Sequence, residues 1–303
     1  MNREIGSSAV SPTTPPPLLA VRGLTKHFPL HGGGWRRRVV GLSRAVDEIS
    51  FELEPGETFG LVGESGSGKT TTARCILRAI EPTAGEIHFR LPGGRVVDVA
   101  KLSERELKAV RPHAQMVFQD PFSSLNPRMT VREIVGEPLV IHRLAKGAEL
   151  DDRVADMLAR VGLKPEHRAR YPHAFSGGQR QRIGIARALI MRPSLVVCDE
   201  ATSALDVSVQ AQMLELLQEL QREFRLTYLF VAHNLEVVRG FCDRVAVMRR
   251  GRIVELAATE RIFNAPQHPY TRLLLSAVPS PDPDVPMNFN LGEELARLDA
   301  MTG

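Results

Sequence analysis

One short segment, from Gly63 to Thr70, constrains the fold of this chain more than any other. Its sequence, Gly-Glu-Ser-Gly-Ser-Gly-Lys-Thr, has the spacing G-x4-G-K-[ST]. The apolar run at 58–62 comes directly before it and predicts a short buried strand. After it, apolar residues recur at helical spacing and predict a helix that begins near Lys69; they are Ala73, Ile76, Leu77 and Ile80. A glycine loop between a buried strand and a helix is the setting in which this spacing binds phosphate groups.

The residue types of this segment suit a phosphate-binding cradle. Glycines let the backbone turn its N–H groups inward, and the start of a helix adds unpaired donors and the positive end of the helix dipole. Lys69 would neutralise the β- and γ-phosphates, and the Thr70 hydroxyl would hold Mg²⁺. A glycine-rich turn with a solvated lysine is the alternative, but it does not explain the flanking strand and helix. The sequence therefore predicts that the chain binds a nucleoside triphosphate.

Further apolar runs predict a parallel sheet that is covered on both faces. They lie at 58–62, 115–118, 195–198 and 228–232, with helical patterns between them. Ligands of such sheets gather at the carboxyl ends of the strands. The residues predicted at those ends are Gly63, Gln119, Asp199, Glu200 and His233.

Two acidic residues stand at the end of one predicted strand. Asp199 would hold Mg²⁺ beside the phosphates, and Glu200, which points differently, would act on the attacking water as a general base. Without the phosphate loop, such a pair would more often cap a helix. Gln119 holds Mg²⁺ or water, or is an ordinary loop glutamine. His233 donates to a γ-phosphate, or is a core histidine.

A second helix start with anion-binding character lies further along the chain, at Ser176-Gly177-Gly178-Gln179. The pattern predicts a helix through Ile190 with Ser176 as its N-cap. This helix start either converges on the same nucleotide as the loop or serves another nucleotide across a two-fold interface.

The remaining elements follow from local patterns. Strands are predicted at 18–25, as an edge strand, and at 46–53, and hairpins at 85–99 and 245–256. Helices are predicted at 103–110, 132–142 and 151–161, and along the apolar stripe from Val209 to Leu220. The glycine- and arginine-rich segment 32–38 is either a solvated insertion or a basic patch that faces lipid headgroups or a partner.

Composition narrows the class of protein. The 303 residues are 43% hydrophobic, which is enough for a substantial core. The formal net charge is +4, with 39 basic and 35 acidic residues interspersed, so we predict no nucleic-acid partner. Three cysteines, Cys75, Cys198 and Cys242, lie in apolar runs and are expected to be buried free thiols. The sequence has no long apolar span and no signal peptide, which predicts a cytoplasmic protein that can still dock on a membrane partner.

Taken in order along the chain, these motifs resemble the ATP-binding subunit of an ABC transporter, from about residue 18 to residue 285. The resemblance also rests on the segment 203–206, Ser-Ala-Leu-Asp. It implies an α/β P-loop fold with a mixed β-sheet core and a helical subdomain at about 120–190. It also implies a head-to-tail dimer, in which each ATP lies between the loop of one chain and the Ser-Gly-Gly-Gln segment of the other.

The resemblance assigns a role to each matching residue. Catalysis would involve Glu200, His233, Gln119 and Lys69, and Mg²⁺ would be held by Thr70, Gln119 and Asp199. Asp206 would link the two subunits. Phe28 matches the aromatic that stacks on adenine, although a core position is the alternative. ATP contacts would come from Gly63, Glu64, Ser65, Gly66, Ser67, Gly68, Lys69, Thr70 and Thr71, and from Ser176, Gly177, Gly178 and Gln179.

Two further segments are similar to the oligopeptide/dipeptide importer branch, and most to its second ATPase subunit. They are the coupling segment 119–127 and the tail segment 262–271, Ile-Phe-Asn-Ala-Pro-Gln-His-Pro-Tyr-Thr. The resemblance implies two permease subunits, a sister ATPase or a second copy, a separate solute-binding protein, and a peripheral position on the inner face of the cell membrane. The expected organisation is a disordered tail at 1–17, an ATPase domain at 18–257 and a C-terminal extension at 258–303. The imported solute could be a peptide, nickel, glutathione or a related small solute.

Overall fold

A computed structural model describes residues 16–32, 39–120, 123–202 and 206–277. Its ten strands are β1 (Leu19–His31), β2 (Val39–Leu53), β3 (Thr58–Val62), β4 (Ala84–Arg90), β5 (Val96–Asp98), β6 (Ala114–Val117), β7 (Leu195–Asp199), β8 (Thr227–Ala232), β9 (Arg244–Arg249) and β10 (Arg252–Ala258). The α-helices of the described residues are α1 (Lys69–Ile76), α2 (Glu104–Val110), α3 (Val131–Ile141), α4 (Gly147–Arg160), α5 (Gly177–Leu189), α6 (Val207–Phe224), α7 (Leu235–Phe241), α8 (Thr259–Asn264) and α9 (Pro269–Ser276). The predicted tail at 1–17 and the basic segment 32–38 fall almost wholly outside the described residues.

The strands form two sheets. One has six strands in the order β10-β9-β3-β8-β7-β6, and its five strands from β9 to β6 run parallel while β10 pairs antiparallel with β9. The other has four antiparallel strands in the order β2-β1-β4-β5. The predicted parallel strands therefore lie in one sheet, and the mixed-sheet α/β fold class is confirmed.

The central strands of the six-stranded sheet, β3, β7 and β8, are buried on both faces. Alternate residues of β7 point to opposite cores: Val196 and Cys198 pack with α3 to α7, whereas Leu195 and Val197 pack with α1, α2 and the four-stranded sheet. This alternation explains why the strand reads as a continuous apolar run. The three cysteines are buried free thiols, as predicted.

The stretch from residue 123 to residue 190 holds three α-helices. The apolar residues of α4 (Val154, Met157 and Leu158) and Val161 at its C-cap are buried, and they pack in the same core as α3 and α5. Helix α4 begins at Gly147, four residues before the predicted start. The expected domain boundaries stay predictions.

One local prediction was wrong. Strand β1 is not an edge strand, because it pairs with β2 on one side and β4 on the other, and it continues to His31. Helix α1 begins at Lys69, as predicted, and ends at Ile76, although Leu77 and Ile80 continue its apolar spacing. Arg78 takes a left-handed backbone (φ +52°), which closes the helix early.

Among the described residues, no helix combines the length and the apolar character that crossing a membrane requires.

Candidate nucleotide-binding site

The loop from Gly63 to Gly68 joins the end of β3 to the start of α1, as predicted. Two of its glycines are required by the backbone. Gly63 has φ +147°, and a Cβ there would lie 2.2 Å from the carbonyl oxygen of Met248. Gly68 has φ +105°, and a Cβ there would lie 2.1 Å from the carbonyl oxygen of Ala45. Any side chain at either position would force the loop away from the strands that surround it.

Lys69 lies within the curve of this loop. Its Nζ donates to the carbonyl oxygens of Gly63 and Glu64, both at 2.8 Å, and its residue is only 5% exposed. Burial lowers the pKa of the ammonium group, and the nearby charges of Glu200, Asp199 and Glu64 oppose that shift. The loop thus holds a partly desolvated positive charge beside its backbone donors, which is an arrangement suited to phosphate.

A hydroxyl and a carboxylate meet at the sheet edge next to the loop. Thr70 donates its hydroxyl to Oδ1 of Asp199 at 2.8 Å. Asp199 is the last residue of β7 and is almost fully buried, and this burial raises the pKa of its carboxyl group above the usual value. Among the described residues, no group of three or more His, Cys, Asp or Glu side chains is arranged so that it could hold a metal ion by itself. Mg²⁺ commonly takes only one or two protein carboxylates together with phosphate oxygens, so this pair fits it.

Glu200 gathers side chains from two neighbouring strand ends. Its Oε2 accepts a hydrogen bond from Gln119 Nε2 at 2.7 Å and lies 3.2 Å from His233 Nδ1. Gln119 follows β6 and His233 follows β8, the two neighbours of β7 in the sheet. Glu200 itself has a left-handed backbone (φ +48°), so its direction differs from that of Asp199. Such backbone strain in a non-glycine residue is typical of functional positions.

His233 lines a neighbouring cavity that shares Glu200, whereas Lys69, Thr70, Gln119 and Glu200 border one open cavity at the phosphate loop. It measures about 300 Å³ and is lined by Gln119, Glu200 and Ala45 and by the loop and helix residues Ser65, Gly66, Gly68, Lys69, Thr70 and Thr71. The predicted residues of the loop and the sheet edge are therefore brought together. Their individual roles stay predictions.

Ser176 is the N-cap of α5, as predicted. Its Oγ accepts from Gln179 N–H, and the Gln179 side chain accepts from Ser176 N–H, which makes a capping box. Ser176 is exposed, and none of the residues 176–179 lines the cavity. Within one chain, the structure does not bring this helix start to the phosphate loop.

Phe28 is not a core residue. It lies on β1 opposite Ser43, 36% of it is exposed, and the Lys26 ammonium is 4.9 Å from the centre of its ring. The exposed ring is compatible with stacking on a base, but Phe28 does not line the cavity. Asp206 stands before α6 and makes no capping hydrogen bond with its side chain.

The sequence reasoning missed one residue at this site. The hydroxyl oxygen of Tyr270, on α9, accepts a hydrogen bond from the backbone N–H of Glu64 at 3.1 Å. One signal in the sequence could have pointed to this region: His268 and Pro269 are residues typical of the N-cap and the first turn of a helix, and Tyr270 follows them.

Comparison with known proteins gives consistent matches. The family profile described as "ABC transporter" matches residues 46–203, and the profile "Oligopeptide/dipeptide transporter, C-terminal region" matches residues 254–301. The oligopeptide transport ATP-binding protein AppF of Bacillus subtilis is 52% identical over 263 residues, which cover 86% of this chain and 78% of AppF. The glutathione import ATP-binding protein GsiA of Shigella boydii is 50% identical over 295 residues; these cover 93% of this chain but only 46% of GsiA, so the chain spans about half of that relative.

A solved structure shares the fold. It is the dimeric, post-hydrolysis form of the ATP-binding cassette MJ0796 bound to ADP and Pi. The TM-score is 0.67 at 28% identity, and the match covers 80% of this chain and 98% of that one.

Proposed function

Because this chain belongs to the ABC transporter family, we propose that it is the ATP-hydrolysing subunit of an importer that energises the uptake of peptides through separate permease subunits. The observation that carries the proposal is the position of Lys69, buried in the curve of the phosphate loop and next to the Thr70–Asp199 pair. The match of the C-terminal region to oligopeptide/dipeptide transporters supports the branch of the family.

The loop and the start of α1 bind the triphosphate of ATP. Backbone N–H groups of the loop donate to phosphate oxygens, and Lys69 exchanges its bonds to the carbonyls of Gly63 and Glu64 for contacts with the β- and γ-phosphates. Thr70 and Asp199 would hold Mg²⁺, with Gln119 near them. The ion, when bound, neutralises charge on the phosphate oxygens.

Glu200 acts as the general base toward the attacking water. Its carboxylate is held by Gln119 Nε2 and lies beside His233 Nδ1, so two side chains fix its direction. Positioned acid–base groups of this kind typically contribute about 10²–10⁴-fold to a rate. His233 can also donate to the γ-phosphate, because more than half of its side chain is exposed.

The second ATP contact comes from another subunit. Ser176 caps a 13-residue helix, is itself exposed, and does not line the cavity of its own chain. Such a helix start binds anions, so a head-to-tail pair of subunits would bring it to the phosphates of the partner's ATP. That partner is a second copy of this chain or a sister ATPase. Asp206 would link the two subunits.

The pair works at the inner face of the cell membrane, bound to two permease subunits, and a separate binding protein delivers the solute. ATP binding closes the pair and hydrolysis reopens it, which moves the permeases between their two orientations. ABC ATPases that act on nucleic acids or ribosomes are the competing class, and the interspersed charge of the chain gives no support to them.

The experiment has two parts. The purified Glu200→Gln chain should bind ATP with unchanged affinity and lose about 10²–10⁴-fold in hydrolysis, and rapid steady-state turnover by this variant would refute the assignment of the base. Cells that lack the chain should lose uptake of labelled peptides and regain it with the wild-type chain but not with Glu200→Gln. Unchanged peptide uptake in those cells, with loss of glutathione or nickel uptake instead, would move the protein to another solute.

A further inference from the structure

The C-terminal segment that follows β10 is held against β10 by hydrogen bonds at the turn before α9. Glu255 on β10 accepts hydrogen bonds from the backbone N–H groups of Gln267 (2.8 Å) and His268 (3.0 Å). His268 then caps α9 by accepting from Tyr270 N–H through Nδ1. These contacts fix where α9 begins and therefore where its first side chains point.

Tyr270, in the first turn of α9, projects into the protein. It is only 1% exposed, and the guanidinium carbon of Arg249, the last residue of β9, lies 5.0 Å from the centre of its ring. Its hydroxyl oxygen accepts from the N–H of Glu64, the second residue of the phosphate loop. A residue more than two hundred positions away in sequence thus reaches the backbone of the loop.

That contact falls on a peptide that Lys69 also holds. The N–H of Glu64 bonds to Tyr270, while the carbonyl oxygens of Gly63 and Glu64 accept from Lys69 Nζ. The tyrosine therefore bonds the loop from the outside, and the lysine bonds it from the inside. The orientation of this peptide determines where the following N–H groups of the loop point.

We infer that Tyr270 is a positioning residue for ATP binding: its hydroxyl holds the Gly63–Glu64 end of the phosphate loop in the binding geometry. The inference rests on the proposed function, since it concerns the ATP site of that function. It makes the ATP affinity of the core dependent on a helix of the C-terminal segment.

The chain offers a matched control for the obvious variant. Tyr228 is equally buried, and its hydroxyl donates to a backbone carbonyl, that of Leu217, at 3.0 Å. Tyr270→Phe and Tyr228→Phe therefore each remove one buried hydroxyl and one backbone hydrogen bond, and both keep the aromatic ring. Only the first of these bonds touches the phosphate loop.

The test measures the dissociation constant of a fluorescent ATP analogue with Mg²⁺, the thermal midpoint, and kcat and KM, for the wild type and both variants. Both variants should lower the thermal midpoint by similar amounts. Tyr270→Phe should weaken nucleotide binding by about three- to tenfold and raise KM with little change in kcat, whereas Tyr228→Phe should bind like the wild type. Equal affinities for the two variants, whether unchanged or equally weakened, would overturn the positioning role. Absence of binding by the wild type would instead overturn the proposed function.

Discussion

Replacing Gly63 by alanine should weaken both the fold and the nucleotide site. The φ of +147° is a region that essentially only glycine occupies, so an alanine there costs about 1–3 kcal/mol. Its Cβ would also lie 2.2 Å from the carbonyl oxygen of Met248, which belongs to strand β9. An ordinary contact requires the loop and the strand to separate by about 1 Å or more, and such overpacking costs about 1–3 kcal/mol. The two costs sum to about 2–6 kcal/mol.

Gly56→Ala is the matched control. Gly56 also has a positive φ (+80°), but a Cβ there meets no heavy atom within 4 Å. It lies in the turn before β3 and does not line the cavity. Only the backbone term of about 1–3 kcal/mol applies to it.

Urea denaturation of the two variants gives their free energies of unfolding, and titration with an ATP analogue gives their affinities. Gly63→Ala should lose about twice as much stability as Gly56→Ala. It should also lose ATP affinity, because the displaced loop no longer holds its backbone N–H groups in the curve that binds the phosphates. Equal stabilities for the two variants, together with unchanged ATP affinity for Gly63→Ala, would refute the packing argument.

Three further predictions follow from the site. Burial raises the pKa of the Asp199 carboxyl group above its ordinary 3.8, so the charged form of this group lowers the stability of the fold once the pH exceeds that value. At pH 7, Asp199→Asn should therefore unfold at a higher temperature than the wild type, and the difference should narrow as the pH falls toward 3.8. The same variant should lose Mg²⁺-dependent ATP binding. A thermal midpoint for Asp199→Asn at pH 7 below that of the wild type would contradict this. Ser176→Ala should lose about 0.5–2 kcal/mol of stability because its helix loses the N-cap. It should also lose ATP hydrolysis, yet the single chain should still bind ATP. Normal hydrolysis by this variant would exclude an ATP site that is shared between two subunits. If the wild-type chain hydrolyses ATP without other subunits, a mixture of Lys69→Ala and Ser176→Ala chains should hydrolyse ATP faster than the sum of the two variants measured separately. In a mixed pair, one site combines the intact loop of the Ser176→Ala chain with the intact serine of the Lys69→Ala chain. A rate equal to that sum would place both groups of a site in the same chain.

The phosphate loop and its flanking elements could be predicted from the sequence because their signals are local. The strand 58–62 has the predicted bounds, since its five residues are all buried and bounded by a turn and a glycine loop. Ser176 could be predicted as an N-cap because a serine stands directly before a helical pattern, and the structure adds the capping box with Gln179. The meeting of Gln119, Glu200 and His233 followed from one rule, that parallel strands end at the same edge.

The features that local patterns did not reveal depend on distant partners. Strand β1 was predicted as an edge strand because nothing within 18–25 specifies that β4 will cover its second side. The strand continues to His31 because it pairs with β2 there. In this part of the β1–β2 pair, side chains are exposed on both faces, so the sequence shows no alternation of buried and exposed residues. Tyr270 lies in the tail segment 262–271, but its contact with Glu64 forms only when α9 has packed against β10.

The central claim is that the loop at residues 63–70 binds ATP through Lys69. Equilibrium titration of the purified chain with Mg²⁺ and an ATP analogue tests it most directly, with Lys108→Ala, an exposed lysine on α2, as the control for Lys69→Ala. The account predicts saturable binding of one nucleotide per chain for the wild type and Lys108→Ala, and no measurable binding for Lys69→Ala. Near-normal affinity in the Lys69→Ala chain would contradict it.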